Sequence, residues 1–218
     1  MTTQPLTFFH FPGACSQAVY VGLEEAGATY TAQAVNLIAG AQKSPDYLKL
    51  NPAGQVPALA LPDGQVLSEA SAILFWLAET HPAAKLLPSD PRGRARALEW
   101  MSFAAYSLHA VSGPIWGPER YLADPAAHAE IKAGAEQRYR NGLALAEARL
   151  GAGPWLLGES FSIADCHLLP FWHWAQRWKF DLAAFPNLAA WHARMSARPS
   201  VIKVLAEERT ALKALLAK

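Results

Sequence analysis

The sequence is poor in cysteine. Cys15 and Cys166 are its only two in 218 residues, far apart, which argues against a disulfide framework and predicts a chain kept in a reducing cytoplasm. No cluster of Cys and His has zinc-ligand spacing, so no metal is expected. Excess charge is missing too. Nineteen Lys and Arg against 18 Asp and Glu leave +1, which gives no electrostatic case for nucleic acid or a membrane surface as partner. Apolar runs such as Ala72 to Ala78 fall well short of the ~20 residues needed to span a bilayer. The start, MTTQPLTFFHF, has neither the basic region nor the long apolar stretch of a signal peptide.

What is present is ordinary globular material: 52% hydrophobic and 17% charged residues, with room for one large domain or two small ones. Leu6 to His10 reads as a short buried strand, broken by Pro12-Gly13. Ser16 to Ala26 follows as a helix, with Gly27 as its stop. Tyr30 to Val35 is a second strand, and a polar loop leads into a short helix from Asp46 to Leu50. Val56 to Leu61 is a third strand, and Pro62-Asp63-Gly64 turns it into Val66-Leu67. Ser68 is placed to cap a helix from Glu69 to Thr80. The order is β-α-β-α-β-β-α.

From residue 81 the texture changes. His81-Pro82 and Leu87-Pro88-Ser89-Asp90-Pro91 form a Pro-rich link, and beyond it only helical spacing is found. Helices are expected over Arg92–Ser112, Pro125–Leu150, Ser162–Trp178, Leu188–Ala197 and Val201–Leu216. The fold class is therefore α/β plus all-α. The expected division is 1–81 for the mixed domain and 92–218 for the helical one.

Three features carry chemistry. Cys15 stands directly before a helix, where free N–H groups and the dipole favour a thiolate; equally, it is a small residue filling a strand–helix junction. In Gln55-Val56-Pro57 the proline has no amide for the sheet. A cis bond there would leave the Val56 backbone free for an extended peptide, whereas a plain sheet-edge proline needs no ligand. Ser68-Glu69-Ala70-Ser71 opens a helix whose N-terminus suits a carboxylate, with Glu69 beside it for an ammonium group. Taken alone, it is also a simple cap.

Together these segments resemble the cytosolic glutathione transferases, and the bacterial beta class in particular. Phe11-Pro12-Gly13-Ala14-Cys15-Ser16 is similar to that class's SPGACS stretch. Asn51 to Leu59 resembles its NPxGQVPxL segment, and Leu67 to Ile73 its LTExxAI segment. Ser107-Leu108-His109 followed by Pro114-Ile115-Trp116 resembles the ELH-x(4)-PLF pattern. Phe161-Ser162-Ile163-Ala164-Asp165 resembles the family's FSxAD motif, which supports folding as a capping box. The likeness runs from about residue 6 to residue 200.

The resemblance implies a thioredoxin-like N-terminal domain followed by an all-helical C-terminal domain. It implies no cofactor, glutathione as co-substrate, a small apolar electrophile as second substrate and a homodimer. By residue, it implies catalytic roles for Cys15 and His109, the latter projecting from the first long helix of the second domain. Val56, Pro57, Glu69 and Ala70 would bind glutathione, with Pro57 cis. Phe11, Trp116 and Trp174 would line the electrophile site, although most of the eight tryptophans are expected in the core. Cys166 reads as inert packing.

Three departures stand out. Ala70 replaces a serine common in the family. Gly40 stands roughly where some beta-class members carry a lysine for the glycyl carboxylate, with Lys43 as a substitute. His10 and Phe11 replace Tyr and Ser or Lys, and His10 reads as a strand residue without a task. Conjugation, thiol–disulfide or peroxide chemistry, an isomerase and a non-catalytic binding protein all remain open at this stage.

Overall fold

The computed structural model describes residues 5–217. Strand β1 (Leu6–His10) leads into helix α1 (Gln17–Ala26), β2 (Tyr30–Ala34) and short α2 (Pro45–Leu50), then β3 (Ala58–Ala60), β4 (Val66–Ser68) and α3 (Ala70–Thr80). The strands form one mixed sheet in the order β2-β1-β3-β4, with β1 parallel to β2 and the other pairs antiparallel. The element order is the one expected from the punctuation, and the arrangement is the thioredoxin-like one that the resemblance implied. Phe8, fully buried at the centre of the sheet, sits edge-on to Tyr20 of α1.

The second half is helical: α4 (Pro91–Phe103), α5 (Gly113–Trp116), α6 (His128–Leu150), α7 (Ile163–Arg177), α8 (Pro186–Ser196) and α9 (Pro199–Leu216). Asp90 caps α4, accepting from the Gly93 amide at 2.8 Å, and Pro91 takes the first-turn position where no amide is needed. Helix α7 carries the expected capping box of Ser162 and Asp165. The Asp165 carboxylate is fully buried. It accepts from the Leu156 amide at 3.0 Å, the Ser162 amide at 2.9 Å and the Trp191 indole at 2.9 Å. One side chain thus ties α7 to α8 and to the loop before α7.

Two helix expectations need correction. Ser68 does not cap α3; it is the last residue of β4, and the cap position is Glu69 at φ 67°. The span from Arg92 to Ser112 is not one helix. It is α-helical only to Phe103, then passes into a π-helical turn, Ala104–His109, and a 3-10 turn, Ala110–Ser112. The turn lies against α6 at Gly142, where a Cβ would come within 2.9 Å of the Ser107 carbonyl. Only glycine admits that approach.

Helix α1 lies between the two halves, touching α3 on one side and α7 and α9 on the other. Four tryptophans are buried (Trp100, Trp172, Trp174 and Trp191), three are half-buried, and Trp116 alone is exposed, at 38%. Most therefore serve the core, as expected.

Candidate active site

The loop between β1 and α1 is held by Ser16, whose Oγ accepts from the Phe11 amide and donates to the Phe11 carbonyl, both at 3.2 Å. Gly13, at φ 75°, makes the turn. Phe11 is half-buried against Val35, Tyr47 and Val56. Cys15 lies two residues before α1, one position further out than the sequence suggested. Its thiol donates to the Val56 carbonyl at 3.5 Å. The Val56–Pro57 bond is cis, and both residues lie outside β3, which begins at Ala58.

The thiol does not behave as its place before a helix suggested. Burial pushes its pKa up to about 12, and the Glu69 charge pushes the same way. The Cys15 and Ser16 amides pull it down, but by less. Desolvation wins because the side chain is folded under the Val56 carbonyl rather than left open to solvent. In the ligand-free chain Cys15 is a thiol. Burial also pushes the Cys166 thiol, wholly enclosed in α7, well above the ordinary thiol value, as inert packing requires.

Glu69 is exposed and holds a backbone conformation unusual for any residue but glycine, a cost of order 1–3 kcal/mol that functional sites often carry. Ala70 is buried at the first turn of α3. His109 ends the π-helical turn, is exposed, and lies within reach of the Glu69 charge. Its ring centroid lies 5.4 Å from Trp174 and 5.5 Å from Phe171. That crowding holds its pKa below the ordinary histidine value, with the Glu69 charge opposing. Trp116 packs at 5.5 Å from Trp174, with the Arg177 guanidinium 5.4 Å from its ring.

The Cys15 thiol bonds to Val56, Phe11 packs with Val56, the Glu69 charge acts on both Cys15 and His109, and Trp174 touches both His109 and Trp116. Pro57 and Ala70 are the chain neighbours of Val56 and Glu69. Trp174 is buried, and its indole nitrogen donates to the Gly13 carbonyl at 2.8 Å. Lys43 is exposed, and a Cβ at Gly54 would meet its Nζ at 2.8 Å, which places it at the neighbouring loop. His10 is a core residue of β1, stacked on Phe8 at 5.4 Å, and burial lowers its pKa to about 4. A groove of about 1140 Å³ near Trp100 and Phe161 contains none of these residues. Among the described residues no group of three or more His, Cys, Asp or Glu side chains is arranged to hold a metal ion, and no helix is long and apolar enough to cross a membrane. Sequence reasoning passed over Gln17 and Glu208, which lie behind the Cys15 loop, for no local pattern marks either.

A thioredoxin-like sheet with a cis-proline loop, joined to an all-helical half, defines a two-domain fold. The chain belongs to the glutathione S-transferase family. The family's N-terminal domain model matches residues 13–80 and its C-terminal domain model residues 108–199. The glutathione S-transferase GstA of Escherichia coli O157:H7 is 34% identical over 93% of this chain and 98% of its own. A disulfide-bond oxidoreductase, YfcG of Escherichia coli K12, is 31% identical over 84% of this chain and 86% of its own. A maleylacetoacetate isomerase of Pseudomonas aeruginosa is 29% identical over 83% and 86%. Among solved structures, a Sulfitobacter glutathione transferase homologue with bound glutathione superposes with a TM-score of 0.88, at 32% identity over 93% of this chain and 98% of that one. The beta-class enzyme of Sphingomonas chungbukensis gives 0.82 at 34% identity, with the same coverage.

Proposed function

We propose that this chain binds glutathione between its two halves and conjugates it, through its sulfur, to small apolar electrophiles. One observation carries the reading: the Cys15 thiol donates to the Val56 carbonyl, and the charge of the strained Glu69 acts on both Cys15 and His109. In this scheme residues 1–81 hold glutathione and residues 92–218 supply the electrophile wall. Val56 pairs backbone to backbone with the cysteinyl unit, with Pro57 keeping the loop open. The amides opening α3 at Ala70 take the γ-glutamyl carboxylate, and Glu69 takes the ammonium group.

The raised pKa of Cys15 gives it the part of donor. Its S–H turns from the Val56 carbonyl to the glutathione sulfur and stabilises the thiolate there. His109, held neutral at pH 7, accepts the proton that glutathione sheds. The thiolate then attacks the electrophilic carbon; a C–S bond forms and the leaving group departs with its electron pair. Phe11 and Trp116 bound the electrophile's side, with Trp174 behind them.

A second reading, thiol–disulfide exchange through Cys15, draws support from the similarity to the disulfide-bond oxidoreductase; the buried thiol weighs against it in the free protein. A cytoplasmic homodimer is part of the proposal. Exposed Leu98 and Tyr106, on α4 and the turn after it, offer apolar surface for a second copy. The test replaces Cys15 by Ala and by Ser and measures chlorodinitrobenzene conjugation and hydroxyethyl-disulfide reduction. Serine, still a donor, should keep most conjugation and lose reduction. Unchanged rates for both variants in both assays would overturn the role of Cys15.

A further inference from the structure

Behind the Cys15 loop a chain of polar side chains crosses from the last helix to the eighth. Glu208 of α9 is buried and accepts from Gln17 Nε2 at 2.7 Å. A carboxylate only accepts, so the Gln17 amide turns its oxygen the other way, towards His173 Nδ1 at 2.7 Å. His173 Nδ1 therefore carries a proton, and its Nε2 accepts from His192 Nε2 at 3.0 Å. Every donor in the chain points towards Glu208. Gln17 is two residues beyond Cys15, at the first turn of α1.

The other carboxylate oxygen, Oε1, is buried with no hydrogen-bond partner, while the Gly13 backbone favours the ionised form. The backbone amide of Gln17 donates to the Ala14 carbonyl at 3.1 Å, which ties the start of α1 to the Cys15 loop. No lysine or arginine among the described residues forms an ion pair with Glu208. Its charge is balanced only by dipoles, one of which belongs to the loop that carries Cys15.

From this arrangement we infer that Glu208 is a positioning residue for the Gly13–Ser16 loop, holding it through Gln17 more firmly when ionised than when protonated, because only the carboxylate accepts a charge-assisted bond. The inference rests on the glutathione-binding reading above. Burial pushes the Glu208 carboxyl up to about 7, so the hold is gained as pH rises through neutrality. The titratable groups facing this spot are few. On α1 Tyr20 feels the Glu208 charge and is bound to Glu207, with Glu24 nearby. His173 and His192 stand on α7 and α8; burial lowers His173 to about 4 and holds His192 below the ordinary histidine value.

The first measurement needs no ligand. The amide cross-peak of Gly13 is followed by NMR from about pH 5.5 to about 8.5, in the unaltered chain and in Glu208→Gln. It should titrate with a midpoint near 7 in the first and stay flat in the second. A Gly13 peak that does not move in the unaltered chain, or moves equally in Glu208→Gln, overturns the inference. The second follows calorimetric binding of S-methylglutathione, which has no thiol to titrate, over the same range. Affinity should rise about fivefold with pH, the worth of one hydrogen bond, and not in Glu208→Gln. If S-methylglutathione fails to bind at every pH, the glutathione reading fails, while the Gly13 titration still decides the inference. Should Glu208→Gln not fold, Gln17→Met cuts the same link and should weaken both responses. Responses of full size in folded Gln17→Met count against the inference.

Discussion

The indole of Trp174 donates to the carbonyl of Gly13 at 2.8 Å, so a side chain of the helical half fixes the loop that presents Cys15. The proposed glutathione and electrophile sites therefore share one strut. The same ring touches His109 and Trp116. Any change that moves it moves both walls.

Trp174→Phe keeps most of the packing and removes the donor. KM for glutathione should rise about fivefold, the value of one hydrogen bond, while Tm falls by a few degrees. Steady-state kinetics at fixed electrophile will show it. A rise in the electrophile KM alone would mean that the ring serves only as a wall.

Cys15 should resist alkylation. With its pKa near 12, iodoacetamide should label it far more slowly than a free thiol at pH 8, with no plateau up to the pH at which the fold fails. Mass spectrometry of the modified peptide against time gives the rate. Fast labelling at neutral pH would restore the thiolate that its place near a helix first suggested.

His109→Asn should lower kcat by about a hundredfold if the imidazole accepts the thiol proton, with KM for glutathione little changed. Because its pKa lies below the usual value, the acid limb of the unaltered chain's kcat profile should lie below pH 6.5. That limb should vanish in the variant. A profile identical in both would remove His109 from the chemistry.

Acid should unfold the protein through its buried histidines. His10 is lowered to about 4, so between pH 6.5 and about 4 the unfolded chain binds a proton that the folded chain refuses. Stability is then full above the upper value and is lost as pH falls through the window. His10→Phe should flatten part of that slope, read as urea midpoints at several pH values. An unaltered slope would show that His10 gains its proton without unfolding.

Asp165→Ala strands the Leu156, Ser162 and Trp191 donors and should cost about 3 kcal/mol or more. Chemical denaturation will measure it. A loss under 1 kcal/mol would mean that water replaces the carboxylate.

The order of elements was legible because Pro and Gly mark nearly every boundary, as at Pro12-Gly13, Gly27 and Pro62 to Gly64. The candidate site was legible only through ordered motifs, since neither Cys15 nor His109 means anything alone. Other features have no local sign. The left-handed backbone at Glu69 arises where β4 meets α3, so Ser68 looked like the cap. The π-helical turn that ends at His109 depends on the close approach to Gly142. The thiol's pKa was misread because the Val56 carbonyl that covers it lies 41 residues away. Gln17 and Glu208, 191 residues apart, are joined only by the packing of α1 on α9.

That last separation has a consequence for synthesis on the ribosome, where N-terminal segments fold first. The mixed sheet is complete soon after residue 80 emerges, with its cysteine loop still unsupported from behind. Trp174 reaches Gly13 only after 161 further residues, and Glu208 reaches Gln17 after 191. A nascent or truncated chain therefore carries the motif without its backing, and becomes competent only when its final helix is released.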